Sequence, residues 1–329
     1  MTTAQCIDNA TRNRFRYDLP YPIAVNYKRI GACPESNPAK LMYILKTAEM
    51  AARLLGVITV AELRRGFAGK SLPDGPFRRD LPSRLAKPTF GTWLWIVREG
   101  VRTLADAKVV PFAEGLSTFC LDRDGKPSAA MRALNDLVTQ RNRFMHDRVP
   151  PDEWLKPREL PRSCEESLPW LERALAAMVF LTDYPVAFVS PITVEKKRYG
   201  DPRYIKDMLV IAGCAEHFDV ERESSEGICE SGEVLLLDRQ GRRYMNLDPL
   251  ILYSDEGTEE KDAPDGGRAR MRTGIWDVFV YNGRSAGGLS YLACNKGGEL
   301  SSRESSAAEY IERGFAEIEA MFGTAEGGR

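Results

Sequence analysis

Four stretches of the first half place apolar residues at helical spacing. SNPAKLMYILKTAEMAARLL sets Leu41, Ile44, Leu45, Ala48, Ala52 and Leu55 on one stripe, behind cap-like polar residues and a proline in the first turn. FGTWLWIVREGVRTLADA, Phe90 to Ala107, predicts a second helix, and the Pro/Gly-rich run before it, from about Gly66 to Pro88, reads as a connector. A third helix is expected from Pro127 to about Arg148, where Pro150 and Pro151 stop it. The fourth, SLPWLERALAAMVFLTDY, carries Trp170, Leu171, Leu175, Met178 and Leu181. Each apolar face needs a partner, so together they predict an all-helical bundle.

After Pro185 the period shortens. YPVAFVSPITVEKKR, YIKDMLVIAG and HFDVERE show short apolar or alternating runs, and GEVLLLDRQGRRYMNLDPLILY predicts two strands around an Asp-Arg-Gln-Gly turn. IWDVFVYNGRSAGGLSYLAC predicts a second pair around a glycine-rich loop. The polar stretch between them, SDEGTEEKDAPDGGRAR, reads as a loop or a disordered insertion. Near the end, Ile311, Phe315, Ile318 and Phe322 recur at helical spacing, which predicts a closing helix whose apolar face packs back onto another part of the fold. The expected fold class is α+β: a helical domain over residues 1–185 with an N-terminal extension, then a β-rich domain over residues 186–329 that ends in one helix.

Composition adds bounds. Hydrophobic residues make up 43% of the 329 positions and charged residues 28%, as in a soluble globular protein. No stretch approaches the length of a membrane span, and the first residues lack the apolar run of a secretion signal, so a cytoplasmic protein is expected. Seven scattered cysteines without a CxxC pair suggest neither a disulfide framework nor a thiolate zinc site, and two distant histidines with no HExxH do not suggest a histidine metal site. The net charge of −1 hides a division: residues 1–190 carry 28 Lys or Arg against 21 Asp or Glu, whereas residues 191–329 carry 18 against 26. A basic first part is suited to a polyanion, although solvated surfaces give the same asymmetry.

Candidate chemistry concentrates in VTQRNRFMHDR, which holds one of the two histidines. Leu134, Val138, Arg141 and Met145 follow at steps of four, three and four, so Arg141 falls on or beside the apolar stripe, where a guanidinium requires an anion. Asn142 and His146 lie four apart on one face, while the step from Arg141 to His146 is about 140° round the axis, so one helix does not assemble a complete site. Two readings stand. Arg141 and His146 complement the dipole at a helix C-terminus and cap its carbonyls. Alternatively, imidazole supplies proton transfer and guanidinium binds phosphate, which is enough to cleave RNA without a metal because the substrate carries its own 2'-hydroxyl nucleophile.

Arg141-Asn142-Arg143-Phe144-Met145-His146, with the hydrophobic LNDLV before it and helices on both sides, resembles the RNxxxH signature of HEPN domains, the higher eukaryotes and prokaryotes nucleotide-binding family. The resemblance covers roughly residues 35–185. It implies a homodimer whose two motifs share a cleft, RNA as partner, no cofactor, and metal-independent endoribonuclease activity in a toxin or antiviral setting. Arg141 would then engage the scissile phosphate, His146 serve as general base or acid with the second protomer supplying its counterpart, and Asn142 position one of them. The family also contains non-catalytic binding or regulatory modules, and a metal-dependent nuclease is a third reading; a regulatory protein or a nucleotide signal is a further partner for the β-rich domain.

Other features carry weaker expectations. His217 beside Cys214 and Asp219 reads as structural, and the glycines of YNGRSAGGLSY and CNKGG as hairpin turns. Trp93 and Trp95 read as core or helix-interface residues. The basic run of Arg64, Arg65, Lys70, Arg78, Arg79, Arg84 and Lys87 reads either as a solvated linker or as a funnel for RNA.

Overall fold

One long helix organises the first half of the chain. In the computed structural model, which describes residues 7–34, 37–146, 159–195, 203–215, 218–225, 230–254, 258–262, 268–272, 277–285, 287–295, 297–305 and 307–322, the first elements are α1 (Asn9–Tyr17), α2 (Tyr21–Ala32) and α3 (Pro38–Gly66). The apolar stripe of α3 predicts a helix to Leu55; the helix in fact continues through Val57, Ile58, Thr59 and Val60, a β-branched run with poor helix propensity. Tertiary packing overrides propensity there, since all four are fully buried, and Thr59 Oγ1 donates to Leu55 O at 2.8 Å. Around α3 pack α2, α5 (Phe90–Asp106), α7 (Ala129–His146) and α8 (Glu159–Ala177). Between these lie α4 (Pro76–Ala86) and α6 (Gly115–Cys120).

Local sequence explains the helix starts. Asp8 caps α1 by accepting the Thr11 N–H at 2.8 Å, Thr89 caps α5 by accepting the Thr92 N–H at 3.2 Å, and Ser128 Oγ accepts the Met131 N–H at 3.1 Å at the start of α7. The stripe Phe90, Trp93, Leu94, Val97, Val101 and Leu104 buries α5 against α3, where Gly56 provides the gap that the Trp93 ring fills. Two buried carboxylates join parts far apart in sequence. Glu172 on α8 accepts from Arg12 Nε at 2.8 Å and from the Tyr27 hydroxyl at 2.9 Å, so α1 and α2 are fastened to α8. Burial and the Glu172 charge both raise the Tyr27 phenol pKa, which keeps it a neutral donor. Glu62, with no exposed surface, accepts Arg65 Nη2 at 2.9 Å and the Ala113 N–H at 3.0 Å, which holds the segment after α5 against α3.

The remainder is β-rich. Strands β1 (Val186–Glu195), β2 (Arg203–Val210), β3 (Asp219–Ser225), β4 (Val234–Leu237) and β5 (Tyr244–Asn246) form an antiparallel sheet in the order β3-β2-β1-β4-β5. Strands β6 (Ile251–Ser254), β7 (Thr258–Asp262), β8 (Arg268–Arg272), β9 (Asp277–Ser285), β10 (Gly288–Ala293) and β11 (Glu299–Ser301) form a second, in the order β6-β9-β10-β11-β7-β8. Both expected hairpins, β4 with β5 and β9 with β10, are present. Helix α9 (Ala308–Ala320) closes the chain with Ile311, Phe315 and Ile318 buried, Phe315 lying 5.0 Å from the ring of Tyr281 on β9. The order of helices and strands is that of an α+β protein, as the periodicity predicts.

Two expectations need correction. The polar stretch 254–270 is not simply a loop, because β7 and β8 pair within it, with position 260 opposite 270 and 262 opposite 268. The stretch is largely polar, so a search for apolar alternation misses these strands. Residues 67–87, read as a connector, contain α4 and belong to the β-rich part. By internal contacts the chain divides into a helical unit, Met1–Gly66 with Pro88–Thr182, and a second unit, Phe67–Lys87 with Asp183–Arg329. Leu72, Leu81 and Leu85 are buried; Tyr281 donates to Leu85 O at 3.0 Å, Arg78 Nε to Phe322 O at 2.7 Å, and the Leu72 N–H to Met321 O at 2.9 Å. A Leu85→Ala substitution, in a stretch that reads as linker, is therefore expected to cost about 2–4 kcal/mol, measured as a shift in the urea unfolding of the second unit.

Candidate active site at the end of α7

Helix α7 buries Met131, Leu134 and Leu137 and turns its polar side outward at Arg132, Asn135, Asp136 and Thr139. Continuing that period brings Gln140 inside and leaves Arg141 at the boundary, its side chain 28% exposed. The anion that its position demands comes from α3: Glu49 Oε2 lies 3.6 Å from Arg141 Nε. At this separation the contact is an ion pair longer than a normal hydrogen bond. Glu49 also accepts from Arg53 Nη2 at 3.2 Å, one turn along α3. The Arg53 side chain is 3% exposed, and its guanidinium carbon lies 5.8 Å from the centre of the Trp93 ring. One carboxylate thus stands between two guanidinium groups, one buried over an indole and one at the surface.

Asn142 and Arg143 are exposed and Phe144 is half-buried. His146 is the last residue of α7, one helical turn beyond Asn142; its side chain lies outside the described residues, as do residues 147–158. The structure therefore brings Arg141 and Asn142 to the final turns of the same helix as the His146 backbone. Glu49 is the residue that sequence reasoning missed. Its signal was the Glu49-x-x-x-Arg53 spacing on a helix otherwise dominated by apolar residues, together with the requirement for an anion beside Arg141.

The remaining candidates resolve differently. His217 lies outside the described residues. Gly283, Gly288, Gly297 and Gly298 have positive φ, and they sit in or beside the β9–β10 and β10–β11 pairs. A side chain at Gly288 would also meet Ser302 Oγ at 2.6 Å. Trp93 is fully buried, a core residue. The basic run is divided between the units: Arg65 belongs to Glu62 and the Val110 carbonyl, while Arg78 is held by Asp74 and Phe322 O. Arg65 and Arg78 thus take part in local structure.

Cys120, Cys164, Cys214 and Cys294 are buried free thiols, and burial pushes Cys120 up to about 12, far from thiolate chemistry at neutral pH. Among the described residues no group of three or more His, Cys, Asp or Glu is placed to hold a metal ion, and no helix is long and apolar enough to cross a membrane. No protein-family model, curated protein or solved structure matches the chain. The functional reading therefore rests on its own residues.

The Glu49 arrangement separates folding from function at Arg141. Glu49→Ala removes the carboxylate that accepts from the buried Arg53 and is expected to cost about 2 kcal/mol, whereas Arg141→Ala removes a partly solvated partner and costs about 1 kcal/mol or less. Urea unfolding of the two variants checks the order; equal losses would mean that Arg141 is as structural as Arg53.

Proposed function

We propose that the chain is a metal-independent endoribonuclease that acts as a homodimer through Arg141, Asn142 and His146. The observation that carries this reading is the presentation of Arg141: a guanidinium held from behind by Glu49, partly exposed, beside an exposed Asn142 and one and a half turns from the residue that ends α7. An ion pair at Nε leaves the terminal nitrogens of the guanidinium suited to two phosphate oxygens. In the reaction the 2'-oxygen of the substrate attacks the adjacent phosphorus as His146 removes its proton. Arg141 stabilises the extra negative charge of the pentavalent phosphorane, and the 5'-oxygen leaves with a proton from the partner protomer's histidine. The products are a 2',3'-cyclic phosphate and a 5'-hydroxyl. Asn142 orients Arg141 or the phosphate. The second unit selects RNA or senses the signal that releases activity, and the whole works in the cytoplasm as a toxin or antiviral defence effector.

A non-catalytic reading has one observation in its favour. Arg141 already has a carboxylate answer within its own chain, as a purely structural arginine would. The two are separated by incubating the full chain with mixed-sequence single-stranded RNA and with total tRNA in the presence of EDTA. The ribonuclease reading expects cleavage, cyclic-phosphate ends, and a loss of at least about 100-fold in both Arg141→Ala and His146→Ala. RNA binding that survives His146→Ala with no cleavage selects the non-catalytic module, and cleavage abolished by EDTA and restored by magnesium selects a metal-dependent nuclease.

A further inference from the structure

The second unit contains a cavity of about 290 Å³ that the ribonuclease reading does not use. It is bounded by β1, the turn before β4, β6, β11 and the start of α9, so five separate segments of one unit contribute to its wall. Three of the side chains around it are aromatic. Phe188 and Tyr253 pack with ring centres 4.5 Å apart and together make one aromatic surface, and Tyr310 reaches the cavity from α9. Leu252, Leu300 and Ile311 add apolar surface.

The polar part of the lining is one-sided. Among the described residues its one charged lining residue is the exposed Glu230, and the other polar contributions are serine and tyrosine hydroxyls. Beneath it, Tyr310 donates its hydroxyl to the buried Asp248 at 3.2 Å, which fixes the ring at the cavity wall. Burial raises the pKa of that hydroxyl, and the charges that raise it further are all carboxylates: Asp248, Glu233 and Glu230. Glu230 is itself held in place, its N–H donating to Glu233 Oε2 at 2.9 Å. The cavity therefore combines aromatic ring faces with a field of negative sign. An anion such as a nucleotide phosphate meets repulsion there, and a neutral apolar molecule gains nothing from Glu230. A cation with an apolar shell is attracted by both the ring quadrupoles and the carboxylates, at little desolvation cost. The volume is at the small end for a ligand site, which suits a compact molecule.

We propose that this cavity is a binding site for a small free organic ammonium ion, seated on Phe188, Tyr253 and Tyr310 with Glu230 as its counter-charge. The site is independent of the reading of Arg141 and His146, so either can fail alone. The test is calorimetric titration of the full chain with choline and with its neutral isostere 3,3-dimethylbutan-1-ol, which has the same shape without the charge. Saturable one-site binding of choline is expected, with the isostere weaker by roughly tenfold or more. Glu230→Gln, at an exposed position, should weaken choline by roughly tenfold while leaving the near-UV circular dichroism unchanged. Failure of choline to saturate, equal affinity for the isostere, or a natively folded Glu230→Gln variant with unchanged affinity would each overturn the proposal. Retention on phosphatidylcholine vesicles without binding of free choline would also overturn it, because the ligand would then be a membrane surface.

Discussion

The burial of Met50–Leu63 of α3 on every side is the constraint from which the helical unit follows. A helical stretch with no exposed face must be surrounded, and α2, α5, α7 and α8 do so. Enclosure has a second consequence. Of the charges that α3 carries, Arg53 and Glu62 are buried and Glu49 is mostly covered, and each of these three is met by something on a neighbouring element or on α3 itself. Glu62 is met by Arg65 and by the backbone of the segment after α5. Glu49 is met by Arg53 and by Arg141. The polar architecture of the bundle is in this sense a set of answers to the insertion of three ionised groups into its central helix.

From that standpoint the candidate site is the outer end of a buried network. Trp93 supports Arg53, Arg53 engages Glu49, and Glu49 faces Arg141 across the α3–α7 contact. The ion pair with Glu49 restrains the Arg141 guanidinium through groups of the core. The same restraint is compatible with a structural arginine, which is why chemistry, not geometry, has to separate the readings.

Periodicity reveals most of the architecture. The stripes of α5 and α7, the two hairpins and the closing helix follow from apolar spacing alone, because each buries one face against a neighbour. The signal fails where burial is two-sided or where pairing is polar. Val57 to Val60 read as the end of a helix because their individual preferences oppose it, and only enclosure on every side retains them. Strands β7 and β8 pair in a stretch that is largely polar and shows little apolar alternation. Within the site, the stripe placed Arg141 at a boundary that demanded an anion and the Glu49-x-x-x-Arg53 spacing marked a carboxylate on α3, but nothing local joined the two, which lie 92 positions apart and meet only through tertiary packing. The cavity lined by Phe188, Tyr253 and Tyr310 was invisible for the same reason: its residues come from segments that share no sequence period.

The chain passes between its two units three times, after Gly66, after Lys87 and after Thr182. This bears on synthesis. Helix α4 emerges early, but its partners, Tyr281 and the carbonyl of Phe322, are made much later, as is the Met321 carbonyl that the preceding Leu72 N–H meets. At ribosomal rates of about 5–20 residues per second, the apolar side of α4 waits on the order of 10–50 s for the strands and helix that cover it. Once Thr182 is made the helical unit has all its residues, while Leu81 and Leu85 still lack their partners. The nascent chain must then carry a folded bundle with an unfinished segment looped out of its middle, and that loop is the part most exposed to chaperones, proteases and premature association.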